Sequence, residues 1–529
     1  MEKIYPIDIA GINNIGLDKW LGDYYVPVTG REYGHIHYNI LNFYTSLIRK
    51  YDNTVIYWLA VSSIKVPLFT TEYISFLLAS SRLQENGYKY LADQSNHGMP
   101  YDIKAFDFKV LPIFNLIDTM MHRPQIQDKL RSLCSTIKHN LSTNGIINRN
   151  FIKNIFNPSF CIGNRCKKEV LSFCNEENIS PINIPYLLSG NKTSNKDYLK
   201  LNTVDINKFV QDFLSFVKQQ YPIVENSLFN DLENSLNEYL TYSLFLFHEY
   251  VNSFRKFRQK TLLAAAGIGK PYYRLFYSAW RYSGGEVVGF THGNSYCCIY
   301  SPFIIYDGIS VVNKFIVSSI GHKKIIKQGV KDFSYGLEIS EISHLKSNHY
   351  KSLFKKLQNN ISVKKVRKVM IVGNILSGFK PTDVEYHPFA FLHYEIRLIR
   401  LIRNAGYHVI YKPRLETLNK VEDYYECNVD EIIAGRFEDV YNFADCLLFT
   451  TPYSTTFGFS LLTNKPIVYI NVKGYTWYPR AFELVKKRCS VVEAESVDGR
   501  NVFEEQEVLN AIEESANNIN YDLLYEFVF

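Results

Sequence analysis

Short apolar runs, each closed by Gly, Pro or small hydroxyl residues, recur along this chain. In the second half they are VMIVGN (Val369–Asn374), HVIYKPR (His408–Arg414), CLLFTT (Cys446–Thr451) and IVYI (Ile467–Ile470). Runs bounded by such breakers predict strands buried on both faces. Between the first two, roughly His387 to Ala405, apolar residues recur at helical spacing. Strands that alternate with helices predict parallel βαβ units, whose ligands bind beyond the carboxyl ends of the strands. In the first half KTLLAAAG (Lys260–Gly267), EVVGFTHG (Glu286–Gly293) and the start of KFIVSSIGHKKIIKQG (Lys314–Gly329) read the same way, with a helix over Lys270–Gly284. NTVIYWLAVSS (Asn53–Ser63) predicts a strand, and TTEYISFLLASSRLQENG (Thr70–Gly87) a helix capped by Thr, leading to a further short strand. Residues from about 115 to 255 carry helical periodicity, with at least two long amphipathic helices in Asp205–Phe257, and predict a helical insertion. The polar, Lys-rich stretch from about Glu338 to Lys368 predicts a linker, partly helical.

Length divides this pattern into domains, because 529 residues exceed one ordinary core. The boundaries expected are 1–345 for the first domain, 346–365 for the linker, 366–503 for the second domain and 504–529 for a helical tail packing back. A hydrophobic fraction of 46% and a charged fraction of 21% describe a globular protein, and no run suits a transmembrane helix. The N-terminus lacks the apolar core of a signal peptide, so a cytoplasmic location is expected. A net charge of +7 suits an anionic substrate or a peripheral contact at the inner face of the cell membrane. No long basic stripe interleaves with aromatics, so nucleic acid is not an expected partner. Nine cysteines without a secretion signal predict reduced thiols. Cys161, Cys166 and Cys174 lack a fourth partner and a zinc spacing, and Cys297-Cys298 reads as packing.

Candidate chemistry sits at the strand ends. In THGNSY (Thr291–Tyr296), His292 follows a strand and precedes Gly293, so it suits a general base or a phosphate donor; the bland alternative is a turn cap. Asp307 and Glu286 are acids near it in sequence. Lys412 and Arg414 flank a Pro that stiffens the turn and together suit a diphosphate or carboxylate; the alternative is a solvated pair. Ser454, Thr455 and Thr456 open a helix and suit a phosphate, although hydroxyls cap helices everywhere. Gly373, Asn374 and Ser377 follow the first strand of the second domain. His387-Pro388 reads equally as a nucleotide contact or a helix start. Glu438 opens a helix where an acid suits a ribose or the helix dipole. Phosphate-loop, zinc-protease, hydrolase and kinase motifs are absent, as is a paired-aspartate metal–diphosphate motif. A metal-independent reaction is expected.

A strand ending in His292-Gly293, a basic Lys412-Pro413 strand end and the Ser454–Thr456 turn together resemble GT-B glycosyltransferases of bacterial surface polysaccharides. VVGFTHGNSY followed by KFIVSSIGHKK is similar to surface-carbohydrate transferases related to Kdo and other ulosonic-acid transferases that use CMP donors. Polymerases that use CDP-glycerol share a similar layout. The resemblance covers roughly Lys260 to Ala494. Where sialyl-type enzymes carry His-Pro after a basic strand, this chain has Lys412-Pro413-Arg414. It implies an α/β GT-B fold: two Rossmann-like domains facing a cleft, with the helical insertion in the N-terminal half. It implies a transferase moving a sugar, Kdo or a nonulosonic acid, from a CMP donor to a lipopolysaccharide or capsule acceptor. No cofactor or metal would be needed. Ser454, Thr455, Thr456, Lys412 and Arg414 would bind the nucleotide sugar with Gly373, Asn374, Ser377 and Glu438. His292, or Asp307 or Glu286, would be the base, and Gly293, Asn294 and Tyr296 would meet the glycan or glycolipid acceptor. The rivals are a CDP-polyol phosphotransferase or a UDP- or GDP-sugar transferase, and a non-catalytic glycan-binding or scaffold protein of the same fold.

Overall fold

The structure is a computed structural model. It describes residues 3–6, 9–52, 54–63, 65–91, 159–162, 168–179, 181–183, 203–222, 226–254, 260–265, 271–291, 300, 302–333, 341–346, 349–358, 365–373, 388–414, 425–452, 454–473, 477–497 and 500–529.

Two mostly parallel sheets flanked by helices make an α/β architecture. A separate parallel pair, β1 (Lys3–Pro6) and β2 (Tyr88–Leu91), joins the chain's start to the end of helix Lys65–Glu85. The first large sheet holds β3 (Phe160–Ile162), β4 (Ile182–Asn183), β5 (Thr261–Ala264), β6 (Glu286–Phe290), β7 (Lys314–Val317) and β8 (Glu341–His344). Its order is β4-β3-β5-β6-β7-β8, parallel throughout. Leu262, Val287 and Phe315 pack on one face with helices Val204–Gln220, Asn226–Phe254 and Pro271–Tyr282. Leu263, Val288 and Ile316 pack on the other with Val170 and Phe173. Apolar residues on both faces are what a covered parallel sheet requires.

The second sheet holds β9 (Lys368–Val372), β10 (His408–Lys412), β11 (Glu431–Ile432), β12 (Cys446–Phe449), β13 (Ile467–Val472), β14 (Ser490–Val497) and β15 (Arg500–Phe503). The order is β11-β10-β9-β12-β13-β14-β15, with only β15 antiparallel. The first strand lies centrally and the chain winds outward both ways. That is the doubly wound pattern, with its reversal point between β9 and β12.

Several expectations change. Asn53–Ser63 is not a strand: Val55–Ser62 is a helix, N-capped by Thr54, whose Oγ1 accepts from Tyr57 N at 3.3 Å. Its C-terminal carbonyls, on Val61 and Ser62, accept from the fully buried Arg274 guanidinium at 2.8 and 3.0 Å. A short apolar run carries no period that separates strand from buried helix. The next helix starts at Lys65, so Thr70 and Thr71 are interior and donate to the carbonyls of Val66 and Pro67 instead of capping. The block 115–255 is not wholly an insertion, because β3 and β4 within it belong to the first sheet. The stretch expected as a partly helical linker holds the helix His349–Leu357, whose Tyr350 and Phe354 are buried, and also the strand β8. Tyr5, Ile12, Trp20, Tyr24 and Val26 pack in the core of the second sheet: His393 Nε2 contacts Leu21 O at 3.0 Å, and Arg500 donates to the carbonyls of Gly22 and Tyr24. Cys161 and Cys174 are buried in the core beside β5 and β6.

Candidate functional site

At the carboxyl edge of the second sheet, Val372 of β9 pairs with Lys412 of β10 on one side and Phe449 of β12 on the other. Gly373, Pro413 and Thr450 therefore leave the sheet side by side. Gly373 N donates to Lys412 O at 3.0 Å. The glycine is required by packing: a Cβ there would stand 2.1 Å from the Tyr411 hydroxyl. That hydroxyl is held. Tyr411 and Tyr425 stack at 3.8 Å between ring centroids, and both donate to Glu395 Oε2, at 2.8 and 2.7 Å. Glu395 is completely buried. Burial, reinforced by the adjacent carboxylate, raises both phenol pKa values well above ordinary. The carboxylate thus locks the end of β10 to helix Pro388–Asn404. The sequence carries a trace of it, since Glu395 lies on that helix's apolar stripe among Phe391, Leu392, Ile396 and Ile399.

Lys412 is buried, and its Nζ donates to Pro413 O at 2.7 Å. Burial lowers its pKa and the neighbouring Glu438 opposes that shift. Glu438 is itself exposed, 3.7 Å from Arg436 Nε, in the first turn of helix Phe437–Val440. The fold so brings Gly373, Lys412 and Glu438 to one edge. Arg414 is half-buried two residues past β10, and its charge reaches the Tyr411 hydroxyl.

Beyond β12 the cap reading of the hydroxyls holds for one of the three. Ser454 is the N-cap of helix Thr455–Leu461 and its Oγ accepts from Thr456 N at 3.2 Å. The hydroxyls of Ser454 and Thr456 also bond each other. Thr455 is exposed and takes no part in the cap. The other end of this helix is tied by Arg488, fully buried, which donates to the carbonyls of Ser460, Leu461, Thr463 and Lys465 at 3.3, 3.3, 2.7 and 3.1 Å. A cation at a helix C-terminus satisfies its free carbonyls and its dipole. Next along the edge, Asn471 accepts from Tyr469 OH at 3.0 Å and from Trp477 Nε1 at 3.3 Å, and donates to Glu493 at 2.8 Å. Sequence reasoning missed Arg488 and Asn471, since neither falls in a recognisable motif.

In the first sheet Glu286 opens β6 at the amino edge, where it accepts from Thr261 Oγ1 at 3.0 Å. The opposite, carboxyl end of the strand at Phe290 is about 13 Å away, so Glu286 does not lie at the edge where ligands of a parallel sheet bind. Asp307 falls in helix Pro302–Ile309; its side chain, together with His292, Gly293, Asn294, Tyr296, Asn374, Ser377 and His387, lies outside the described residues. Cys166, Cys297 and Cys298 lie outside them too. At the same edge as Thr291, Ser319 caps helix Ile320–Phe333 by accepting from His322 N at 3.0 Å. Among the described residues no three His, Cys, Asp or Glu side chains gather as metal ligands, and no helix is long and apolar enough to cross a membrane.

No family model matches this sequence, and no curated protein is significantly similar to it.

Proposed function

We propose that the chain is a GT-B glycosyltransferase whose second sheet binds a nucleotide sugar, with a CMP-linked ulosonic acid as the donor. One observation carries this reading. At the carboxyl edge of a doubly wound sheet, a buried lysine and an exposed threonine at a helix start follow β10 and β12, the two strands that flank central β9. Lys412 faces little competing water, so its charge acts strongly on a phosphate oxygen. Arg414 adds a second cation and Thr455 a free hydroxyl. Ser454 contributes by shaping the turn, because its own oxygen is spent on the cap. The helix it opens has seven residues, so side chains carry the phosphate binding more than a dipole does.

In the reaction, an acceptor hydroxyl oxygen bonds to the anomeric carbon as the bond from that carbon to the phosphate oxygen breaks. CMP leaves with the electron pair, and Lys412 offsets its charge. The hydroxyl proton passes to a base, for which His292 is the candidate after the end of β6. The acceptor is a glycan or glycolipid of the bacterial surface.

Thermal-shift titration with CMP, CDP, UDP and GDP, with and without Mg²⁺, tests this. A ligand that binds only the folded state raises Tm by mass action. The expected result is stabilisation by CMP without metal, lost in Lys412→Ala and weakened in Thr455→Ala. Preference for CDP, UDP or GDP moves the donor to a polyol phosphate or another sugar. No shift with any nucleotide sinks the transferase reading and leaves a glycan-binding role.

A further inference from the structure

We infer that the surface formed by helices Ile320–Phe333 and His349–Leu357 around the C-terminal segment Leu524–Val528 docks on an anionic lipid surface. The inference does not depend on the donor or on catalysis. The two helices carry seven lysines against one acid, Asp332. Lys324, Lys327 and Lys331 follow Ile320 at helical spacing and are exposed, as are Lys355 and Lys356. Among the described residues no carboxylate pairs with these five, while the acids nearby are occupied. Asp332 accepts from Tyr300 and Gln328, Glu526 pairs with Arg480 at 3.1 Å and Asp522 with Lys487 at 3.9 Å.

Two large apolar side chains stand out of this basic field. Ile320 is 57% exposed and Tyr525 62% exposed. The two segments that carry them touch: a Cβ on Gly321, the residue after Ile320, would stand 2.0 Å from the carbonyl oxygen of Glu526, the residue after Tyr525. The Tyr525 ring leans on Phe354, centroids 6.3 Å apart, so the tail joins the second helix to the same surface. Lysines beside exposed aliphatic and aromatic groups match a headgroup layer, which takes the cations at its phosphates and the apolar groups just below. A nucleic acid would use stacked aromatics in a groove, and an isoleucine adds nothing to it.

The test is co-sedimentation of the full chain with phosphatidylcholine vesicles, with and without about one third phosphatidylglycerol. Binding is expected only with the anionic lipid and is expected to be screened by high salt. Lys324→Gln/Lys327→Gln/Lys331→Gln should lower partitioning on the order of 100-fold. Arg31→Gln/Lys50→Gln/Lys208→Gln, equal in charge but on or beside other helices, should bind as wild type. Ile320→Ser should weaken binding without changing its salt dependence. Tm of each variant separates misfolding from lost contact. No binding to anionic vesicles overturns the inference. So do equal losses in the two triple variants, or retention of a polyanionic nucleic acid without vesicle binding.

Discussion

At the scale of single residues, the candidate site rests on a contact that leaves no room for change. Gly373 has ordinary backbone geometry but lies under the Tyr411 hydroxyl, which Glu395 and the stacked Tyr425 prevent from moving aside. Gly373→Ala is therefore expected to cost about 1–3 kcal/mol by overpacking, measured by urea unfolding. A stability equal to wild type would mean that Tyr411 relaxes freely. Tyr425→Phe removes a donor to a buried carboxylate and should cost about 1–3 kcal/mol. Thr455→Ala should leave stability within about 0.5 kcal/mol, which is why it, and not Ser454→Ala, cleanly reports on phosphate binding. Sequence reading found Gly373 and Lys412 by position after a strand. It could not find the phenol above the glycine, because that contact joins separate elements.

At the scale of elements, two buried arginines end helices where short connections leave carbonyls without partners. Arg488 ties the C-terminus of helix Thr455–Leu461, and Arg274 ties Val55–Ser62 to the end of Pro302–Ile309 through Tyr306 O and Ser310. Neither role is legible locally, because the carbonyls each arginine meets lie on other elements. Arg488→Met should cost about 3 kcal/mol or more, since several buried carbonyls lose their donor. Arg488→Lys should recover little of it, because one ammonium cannot span the set. Denaturant unfolding of the pair decides this; full rescue by lysine would reduce the role to charge alone.

At the scale of the whole molecule, two buried imidazoles bind distant segments. His393 stacks on Tyr24, centroids 4.4 Å apart, and fastens Leu21 and Tyr24 to the second sheet. His322 lies at the start of helix Ile320–Phe333, beside the Ser319 hydroxyl that donates to Phe527 O in the tail. Burial lowers the pKa of each to about 3. Below the ordinary value of 6.5 the unfolded chain takes up protons that these folded imidazoles refuse, so stability falls as pH drops from 6.5 toward 3. The slope is about 1.4 kcal/mol per pH unit for each. His393→Phe should flatten the fall between pH 7 and pH 4.5 by roughly 2–3 kcal/mol in urea unfolding followed against pH. An unchanged slope would show that His393 is already protonated in the folded state.

The sequence by itself determined the alternation of strands and helices from Lys368 to Val472, because central parallel strands are buried on both faces and must be written as apolar runs. The same logic put Lys412 and Ser454 at strand ends, hence on one edge of the sheet. Tertiary structure decided the rest. β3, β4 and β8 are too short to show a period, and exist because neighbouring strands offer them backbone partners. Val55–Ser62 became a helix because a fully apolar segment takes the form its partners can cap and bury. The fastening of Leu21 and Tyr24 to the second sheet, and of the tail to helix Ile320–Phe333, joins segments hundreds of positions apart. Such long loops carry no local signal, since their closure is decided only by the packing that holds their ends.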